Sequence, residues 1–400
     1  NVEENERLAQ LAKEAMAVAR AFSTEEQDGK RIIPAAKWAD AATVGQHIRG
    51  EVHDFEGVTF KERDAFAELK TVTYGEAIAA VTLRNMQRDG RVVVLGEEVA
   101  NLRGGAYGAT RGIKEAYPER LFNTPISETG FVGMGGGLAS VGLRPVVEVM
   151  FPDFALMASD QLFNQIGKLR HMYGGQVCFP IVVRTRVAIG YGYGGQHSMD
   201  PSAFFAMFPG WRVVAPATAF DYIGLFNTAM RFHDPVLIVE HGLLYADKDQ
   251  VPASDLDYCI EYGKARVVRP GRDLTVVAYL TSVAKCVQAA DALEAAEGLS
   301  VEVIDLRTLD YQGMDYQAIG ASLQKTGALL VVDQTPRSLS LSARICDEAQ
   351  ERFFDYLDCP AGKLTSVDVP PPVSRKLEEA SMPSLEQIRA KMAQGARHQF

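Results

Sequence analysis

The chain lacks the features that define membrane-spanning, nucleic-acid-binding and cysteine-metal proteins. Its 400 residues contain no run of about 18 apolar residues, so the sequence predicts no membrane span. The net charge is -10, and an acidic chain does not match the phosphate backbone of nucleic acids. The five cysteines are odd in number, and none belongs to a CxxC pair. These absences indicate a reduced, intracellular protein without a cysteine-bound metal, which we expect to be cytoplasmic.

Several catalytic and phosphate-binding motifs are also missing. The sequence contains no GxSxG nucleophile turn, no Walker loop and no HExxH zinc motif. It also lacks GDG followed downstream by asparagine, the usual magnesium-diphosphate signature of thiamine enzymes. If the chain binds a diphosphate cofactor, we therefore expect it to contribute only part of the site and no metal ligand.

The pattern of apolar runs divides the chain into an N-terminal arm and two α/β domains. The arm covers residues 1–70 and begins with a predicted amphipathic helix over residues 2–22. Apolar runs alternate with helical patterns over residues 71–245 and again over 262–400, and a looser crossing segment occupies 246–261. Because such alternation builds sheets that helices cover on both faces, we expect two doubly wound domains with mostly parallel strands.

Local signals place individual elements within the first domain. Thr73 and Glu76 form a capping box, which predicts that a helix begins there. The runs RVVVLGEEV, RPVVEVM, FPIVVRT, GWRVVAP and PVLIVEH predict strands. The segment ALMASDQLFNQIGKLRHMY between two of these strands predicts a helix.

A glutamate stands at the head of a glycine-rich run that reads ETGFVGMGGG, from Glu128 to Gly137. A phosphate loop is one interpretation, but the run contains neither GxGxxG nor GxxxxGK[ST], and the acid would repel an anion. Close packing is the favoured interpretation, because Gly133 and Gly137 lie four apart and would share one helical face. Glu128 then needs a separate explanation.

Three predicted strand ends carry side chains suited to a flat heteroaromatic ligand. His197 lies in the loop GYGYGGQHS after a predicted strand, where open α/β sheets bind ligands. It is a candidate acid or base, although a solvated loop histidine fits this position equally well. Phe154 could stack on such a ligand and Glu128 could hydrogen-bond to it, whereas a phenylalanine taken alone is more often part of a core.

Ten motifs in a fixed order carry a resemblance to a known family. They are VVVLGEEV, GGAYGATRG, TPISETGFVG, GLRPVVEVMFPDFAL, DQLFNQIGKLRHMYGG, GGQHS, VVAPAT, DPVLIVEH, VEVIDLRT and DVPPP. From about Thr71 to Gln394 the chain resembles the beta subunit of the thiamine-diphosphate-dependent first component of 2-oxo acid dehydrogenase complexes, of the pyruvate, branched-chain or acetoin type. The resemblance implies a pyrimidine-binding domain followed by a transketolase-type C-terminal domain.

The resemblance also implies a cofactor site shared between subunits. In a two-alpha, two-beta assembly, the alpha subunit would hold the diphosphate and Mg²⁺ of thiamine diphosphate, which accounts for the missing GDG motif. A lipoyl acyltransferase core would receive the acyl group. The glycines after Glu128 would let helices meet closely at a subunit interface.

Five residues match positions of the family's site. By this resemblance, Glu128 would hydrogen-bond to the pyrimidine ring nitrogen and favour the imino tautomer that lets the cofactor deprotonate itself. Phe154 would stack on the aminopyrimidine, and His197 would move protons on the enamine intermediate and during acyl transfer to a lipoyl group. Glu97 and Tyr107 would line the wall of the same pyrimidine site.

Departures from the family pattern keep the substrate and the assembly open. The segment PRSLSLSARI replaces a glycine-rich stretch, and its proline–arginine pair is similar to the acetoin-cleaving branch, as is VRT at residues 183–185. Both features favour a substrate other than pyruvate, and the first leaves docking to the acyltransferase core open. The arm before residue 71 is unusual for a beta subunit, and a trimmed chain in which alpha and beta were fused would account for it.

The leading hypothesis is a subunit of an enzyme that decarboxylates a 2-oxo acid and transfers the acyl group to lipoamide. Alternatives are cleavage of acetoin, a transketolase-like transferase half without a lipoyl partner, and a non-catalytic scaffold subunit. The joint presence of Glu128, Phe154 and His197 argues against the scaffold.

Overall fold

The computed structural model describes residues 53–173 and 177–400, together with Lys13 and two short strands near the N-terminus. These strands, β1 (Glu25–Gln27) and β2 (Lys30–Ile32), pair antiparallel within a compact unit formed by residues 1–51. The helix predicted over residues 2–22 lies outside the described residues, apart from the helical Lys13. Residues 52–400 form a second compact unit, which carries the remaining elements.

The second unit alternates strands and helices along most of its length. Its strands are β3 (Leu69–Thr73), β4 (Val92–Gly96), β5 (Leu121–Asn123), β6 (Arg144–Val149), β7 (Val182–Val187), β8 (Arg212–Val214), β9 (Val236–His241), β10 (Lys248–Pro252), β11 (Arg266–Arg269), β12 (Leu274–Ala278), β13 (Val301–Asp305), β14 (Leu329–Pro336) and β15 (Gly362–Ser366). Its α-helices span Tyr74–Arg88, Ile113–Ala116, Glu128–Ser140, Leu169–Met172, Ser202–Phe205, Ala219–Ala229, Thr281–Glu297, Tyr316–Thr326, Leu341–Phe353, Arg375–Ser381 and Leu385–Ala396.

The first sheet has six parallel strands in the order β5-β4-β6-β7-β9-β8. Its central strands β4, β6, β7 and β9 are buried along their whole length. Continuous burial is what parallel strands covered on both faces require, and it explains why these strands read as apolar runs. The five predicted strands of this domain are confirmed.

The first helix begins where the capping box predicts. The hydroxyl of Thr73 accepts a hydrogen bond from the Glu76 backbone N–H at 3.2 Å. In return the Thr73 backbone N–H donates to the Glu76 carboxylate at 2.8 Å. Two backbone donors that would otherwise lack partners are thereby satisfied, which sets the start of the helix Tyr74–Arg88.

The second sheet has five strands in the order β11-β13-β12-β14-β15. Strand β11 is antiparallel to β13, and the other neighbours are parallel. Helices Thr281–Glu297 and Tyr316–Thr326 each end at a glycine in the left-handed conformation, Gly298 and Gly327. Two parallel-sheet domains of the expected class are therefore present.

The segment predicted as one helix between β6 and β7 is a broken series of turns. It consists of a 3-10 turn at Phe154–Leu156, a π-helix at Asp160–Ile166 and the short α-helix Leu169–Met172. The carbonyl of Leu162 accepts both the Gly167 N–H at 3.0 Å and the indole N–H of Trp211 at 2.8 Å. The helical pattern in the sequence does not reveal this second donor, which comes from a distant part of the chain.

The end of the arm and the segment after β9 pack together on the first domain. Strands β3 and β10 form an antiparallel pair, and Phe60 forms a bridge with Cys259. Tyr258 stacks on Phe220 with ring centroids 4.7 Å apart. This region therefore adds a covering layer to the helices of the first domain.

The two sheets are joined through the edge strand β8. The Ala215 N–H donates to the Arg307 carbonyl, and the Leu309 N–H donates to the Val213 carbonyl, each at 2.8 Å. The guanidinium of Arg307 is fully buried and bonds the carboxylates of Asp221 at 2.5 Å and Glu62 at 2.6 Å. The domain boundary is thus closed by backbone hydrogen bonds and a buried ion pair.

Candidate active site

Adjacent parallel strands bring most of the predicted site residues to one edge of the first sheet. Glu97 directly follows β4, Phe154 lies shortly after β6, and the loop carrying His197 follows β7. Strands β4, β6 and β7 are neighbours, so their carboxyl ends lie side by side. Open α/β sheets bind ligands at this edge.

Two carboxylates, Glu97 and Glu128, lie within electrostatic reach of each other. Glu97 is buried, and its Oε1 has no hydrogen-bond partner. Burial raises the pKa of Glu97, and the charges of Glu128 and Glu98 raise it further. Glu128 is half-buried at the first turn of the helix Glu128–Ser140. The pair forms an acidic corner with an unused acceptor, which can receive a hydrogen bond from a ligand.

Two of the glycines behind Glu128, Gly135 and Gly136, pack the helix Glu128–Ser140 against the core of this chain. A Cβ added at Gly135 would lie 2.6 Å from Val147, and one at Gly136 would lie 2.8 Å from Ile166. Gly133 meets only the side chain of Gln161, and a Cβ at Gly137 would meet nothing within 4 Å. The helix turns Gly135 and Gly136 toward the core and Gly137 outward, so the close contact predicted for Gly133 and Gly137 at a subunit interface stays a prediction.

An aromatic group surrounds His197. Its imidazole lies 5.0 Å from the ring centroids of both Phe151 and Phe154, edge-on to each. Phe154 is half-buried at the margin of the core. The hydroxyl of Thr129, next to Glu128, donates to the Met157 carbonyl at 2.6 Å. This bond ties the acidic corner to the turn that carries Phe154.

Glycines with positive φ shape the His197 loop, and the second domain anchors it. Gly190, Gly192 and Gly194 have φ between 73° and 99°, a region that other residues rarely adopt. The Gly192 N–H donates to the Glu378 carboxylate at 2.7 Å, and Gln334 donates to Asp200 at 2.6 Å. The loop is therefore held from the C-terminal domain at two points, on either side of His197.

Asp153 was not predicted as a site residue from the sequence. It lies beside Phe154, and burial raises its pKa to about 7. Its Oδ2 has no hydrogen-bond partner. The signal available in the sequence was the carboxylate in FPDF, just past the end of a strand.

Tyr107 contacts the same aromatic group from another side. Its ring lies 6.0 Å from Phe151 and 6.2 Å from Tyr245, and the guanidinium of Arg186 stacks on it at 3.1 Å from the centroid. Burial raises the pKa of Tyr107 to about 12, against an opposing effect of Arg186. The structure therefore places Tyr107 beside Phe151 and Arg186.

A buried ion-pair network supports this edge of the sheet. Arg184 in β7 donates to Glu240 through Nε at 2.7 Å and through Nη2 at 2.8 Å, and it also bonds Glu148. The hydroxyls of Tyr222 and Tyr245 donate to the same Glu240 carboxylate. This network fixes strands β6, β7 and β9 relative to one another beneath the site.

No candidate metal site or membrane span occurs in the part of the chain that the structure describes. Among these residues, no group of three or more His, Cys, Asp or Glu side chains is placed to hold a metal ion. No described helix is both long enough and apolar enough to cross a membrane. All five cysteines are free thiols.

The sequence matches two protein-domain families and is similar to named proteins of other organisms. Residues 70–248 match the Transketolase, pyrimidine binding domain, and residues 263–388 match the Transketolase, C-terminal domain. The chain is 39% identical to pyruvate dehydrogenase E1 component subunit beta-1, mitochondrial, of Arabidopsis thaliana, over 82% of this chain and 90% of that protein. It is 36% identical to the acetoin:2,6-dichlorophenolindophenol oxidoreductase subunit beta of Cupriavidus necator, over 79% of this chain and 95% of that protein.

A solved structure shares the fold. The split gene transketolase, inactive beta4 tetramer, matches with a TM-score of 0.66 at 23% identity, over 82% of this chain and 99% of that chain. These matches define a transketolase-like chain with a pyrimidine-binding and a C-terminal domain. Within that class, the chain belongs to the family of E1 beta subunits of thiamine-dependent 2-oxo acid dehydrogenases. The resemblance inferred from the ten motifs is confirmed.

Proposed function

We propose that this chain acts with an alpha subunit to decarboxylate a 2-oxo acid and to transfer the acyl group to lipoamide. The observation that carries the proposal is the acidic corner. Glu97 holds an unpartnered buried oxygen close to Glu128, and Thr129 ties this corner to the turn carrying Phe154. An aminopyrimidine is a ligand that suits a hydrogen-bonding acid and a flat ring surface together.

The residues present fit the pyrimidine part of thiamine diphosphate. The free oxygen of Glu97 can accept a hydrogen bond from a ring amine, and Phe154 presents a half-buried aromatic side chain. When bound, the cofactor supplies the nucleophilic carbon and the electron sink that decarboxylation of a 2-oxo acid needs. This chain lacks the GDG motif that binds magnesium and diphosphate in thiamine enzymes, so we assign the binding of the diphosphate and Mg²⁺ to the alpha subunit.

Each site residue then has a distinct task. Glu128 would hold a proton at the pyrimidine ring nitrogen, and exclusion of water by the bound cofactor would strengthen that bond. Glu97 binds at the same ring and, because its pKa is raised, keeps a proton more readily than an exposed glutamate. His197 accepts and donates a proton beside the reacting carbonyl, and contacts with Phe151 and Phe154 hold its ring in place. Tyr107 would line one wall of the site, beside Phe151.

The outward face of the helix Glu128–Ser140 is the surface that we assign to a partner subunit. Gly137 has open space around it, Met134 is exposed, and the neighbouring Ile126 is 84% exposed. Exposed apolar side chains such as Met134 and Ile126, close in sequence to a glycine with open space, are suited to a closely packed contact with another subunit. We assign this contact to a two-alpha, two-beta assembly in the cytoplasm, with a lipoyl acyltransferase core as its acceptor.

Cleavage of acetoin remains the second candidate. The relative from Cupriavidus necator carries acetoin in its name, and the proline–arginine pair at the end of β14 is Pro336–Arg337 in this chain.

The domain boundaries are part of the same proposal. They place the pyrimidine-binding domain at residues 71–245, the crossing segment at 246–261 and the C-terminal domain at 262–400.

A substrate screen tests the proposed function. The chain is reconstituted with an alpha subunit, thiamine diphosphate and Mg²⁺, and is offered 2-oxo acids, acetoin and ketose phosphates, with lipoamide as the acceptor. Lipoamide-dependent release of CO₂ from a 2-oxo acid supports the proposal. Cofactor-dependent ketol transfer to an aldose, or no thiamine-dependent reaction with any substrate, would overturn it.

A further inference from the structure

A buried arginine beside the site has donors without acceptors. The guanidinium of Arg186 lies near the carboxyl end of β7, and the residue is 6% exposed. Its Nε and Nη2 have no hydrogen-bond partner. A buried cation normally has its donors paired, because an unpaired one pays a large desolvation penalty. Arg186 is therefore suited to bind a group that is not part of this chain.

The nearby carboxylates are already occupied. Glu240 is opposite Arg186 in the strand register, but both of its oxygens bond Arg184, Tyr222 and Tyr245. Glu148 bonds Arg184 as well. Arg184 thus bonds both acids on this part of the sheet, and the hydrogen bonds of Glu240 and Glu148 among the described residues do not include Arg186.

Aromatic rings surround the guanidinium of Arg186. It lies 3.1 Å from the ring centroid of Tyr107, 5.4 Å from Phe151, 5.5 Å from Tyr245 and 5.7 Å from Tyr191. Aromatic faces stabilise the charge of a guanidinium, and its Nε and Nη2 have no hydrogen-bond partner among the described residues. Tyr191 is 38% exposed, so the aromatic enclosure reaches the surface on that side.

Arg186 is separated from His197 by a single ring. The guanidinium lies within 5.4 Å of the centre of Phe151, and the imidazole lies within 5.0 Å of it. Both groups therefore lie against the same ring, that of Phe151. An anionic group held by Arg186 would belong to the same small molecule that reacts beside His197.

We propose that Arg186 binds a second carboxylate of the substrate, at the far end of its side chain, which makes the natural substrate a dicarboxylic 2-oxo acid. This inference rests on the proposed function. The reacting carboxylate is a poor partner for Arg186, because it leaves as CO₂ and a cation bonded to it would stabilise the ground state more than the transition state. A distal carboxylate keeps its charge throughout the reaction, and a planar guanidinium can bind it through two parallel bonds. Neither pyruvate nor acetoin carries such a group.

The experiment compares two acids that differ only at the far end. 2-Oxoglutarate and 2-oxopentanoate have the same chain length, and only the first carries a distal carboxylate. In the reconstituted complex, we expect kcat/KM to be about 10- to 100-fold higher for 2-oxoglutarate, the range for a hydrogen bond to a charged group. The Arg186→Gln variant should bring this ratio close to one. Arg272→Gln, at a 73% exposed side chain, is the matched control and should keep the ratio.

A binding measurement makes the inference independent of turnover. Glutarate should raise the thermal unfolding midpoint of the wild-type complex, pentanoate should not, and Arg186→Gln should lose the response to glutarate. Arg186→Lys serves if the glutamine variant does not fold, and it should keep part of the response because its charge remains.

Three results would overturn the inference. The first is decarboxylation of 2-oxo acids without a preference for the dicarboxylic one, which leaves the proposed function standing. The second is the absence of any response to glutarate. The third is failure of Arg186→Gln to assemble with alpha, because Arg186 would then pair with a carboxylate of the partner. The absence of all thiamine-dependent decarboxylation, with a normal response to glutarate, would instead count against the proposed function alone.

Discussion

The imidazole of His197 meets the ring of Phe154 edge-on, with centroids 5.0 Å apart and planes at 78°. The two residues come from different loops, one after β6 and one after β7. The parallel order of these strands brings them together although 43 positions of sequence separate them (197 − 154). Substitution of His197 should therefore alter the chemistry more than the stability.

Replacing Glu128 tests the acidic corner. We expect Glu128→Gln to lower turnover about a hundredfold or more and to leave assembly intact, because one preorganised polar contact to the pyrimidine is weakened. Glu351→Gln, on an exposed helix surface, is the matched control. Steady-state kinetics of the reconstituted complex provide the measurement, and turnover within a few-fold of wild type would refute the assignment.

Cofactor binding should require the partner. We expect the isolated chain to bind thiamine diphosphate weakly or not at all, because the diphosphate motif is missing from its sequence. Titration calorimetry in the presence of magnesium checks this, with the alpha–beta mixture as the positive control. Tight binding by this chain alone would contradict the shared site.

His197 should matter most at the acyl-transfer step. We expect His197→Ala to reduce lipoamide-dependent turnover more than turnover with an artificial electron acceptor, because a neutral imidazole can both accept and donate a proton. His171→Ala, at an exposed histidine, is the control. Equal, near-normal rates in both assays would make His197 a bystander, and an equal loss in both would place it at an earlier step.

Asp153 should make the stability of the protein depend on pH. Burial raises its pKa from 3.8 to about 7, so the folded protein binds more protons than the unfolded chain between these values. The contribution of Asp153 to stability therefore falls as the pH rises through that window. Asparagine does not ionise, so the unfolding midpoint of Asp153→Asn relative to wild type should rise from about pH 4 to about pH 7.

Thermal unfolding across this pH range provides the measurement for Asp153. The surface variant Asp355→Asn is the control for the substitution itself. A difference in midpoint between Asp153→Asn and wild type that stays constant with pH would contradict the assignment.

Arg184 should be needed for stability. Arg184→Met leaves Glu148 and Glu240 buried without their cation, and breaking a buried pair in this way costs about 3–5 kcal/mol. Arg272→Met on the surface should change the free energy of unfolding by less than about 0.5 kcal/mol. Chemical unfolding followed by circular dichroism distinguishes the two, and equal effects would show that the buried network contributes little.

The sequence alone was sufficient for the parts of the fold that follow local patterns. Strands β4, β6, β7 and β9 are buried on both faces, so each appears as a short apolar run. The start of the first helix follows from the reciprocal bonds of Thr73 and Glu76. Both features depend on residues that lie close together in the chain.

Features that depend on distant residues could not be predicted in the same way. The pairing of β3 with β10 joins segments that lie far apart in sequence, and the indole of Trp211 donates to a carbonyl of the π-helix from a distant part of the chain. The role of Arg186 could not be predicted from the sequence because an arginine is usually exposed. Only the packing shows that this side chain is buried and that its Nε and Nη2 have no hydrogen-bond partner. Glu128, Phe154 and His197 were found because each stands in a recognisable motif, and their roles remain predictions.

The backbone bonds between β8 and residues 307–309 protect the molecule from unwanted association. Strand β8 is the outermost strand of its sheet, and Val213 turns its carbonyl away from β9 toward Leu309. An uncovered strand edge is a template on which other chains can add strands and aggregate. Production of the pyrimidine-binding domain without its C-terminal neighbour would expose that template and favour aggregation.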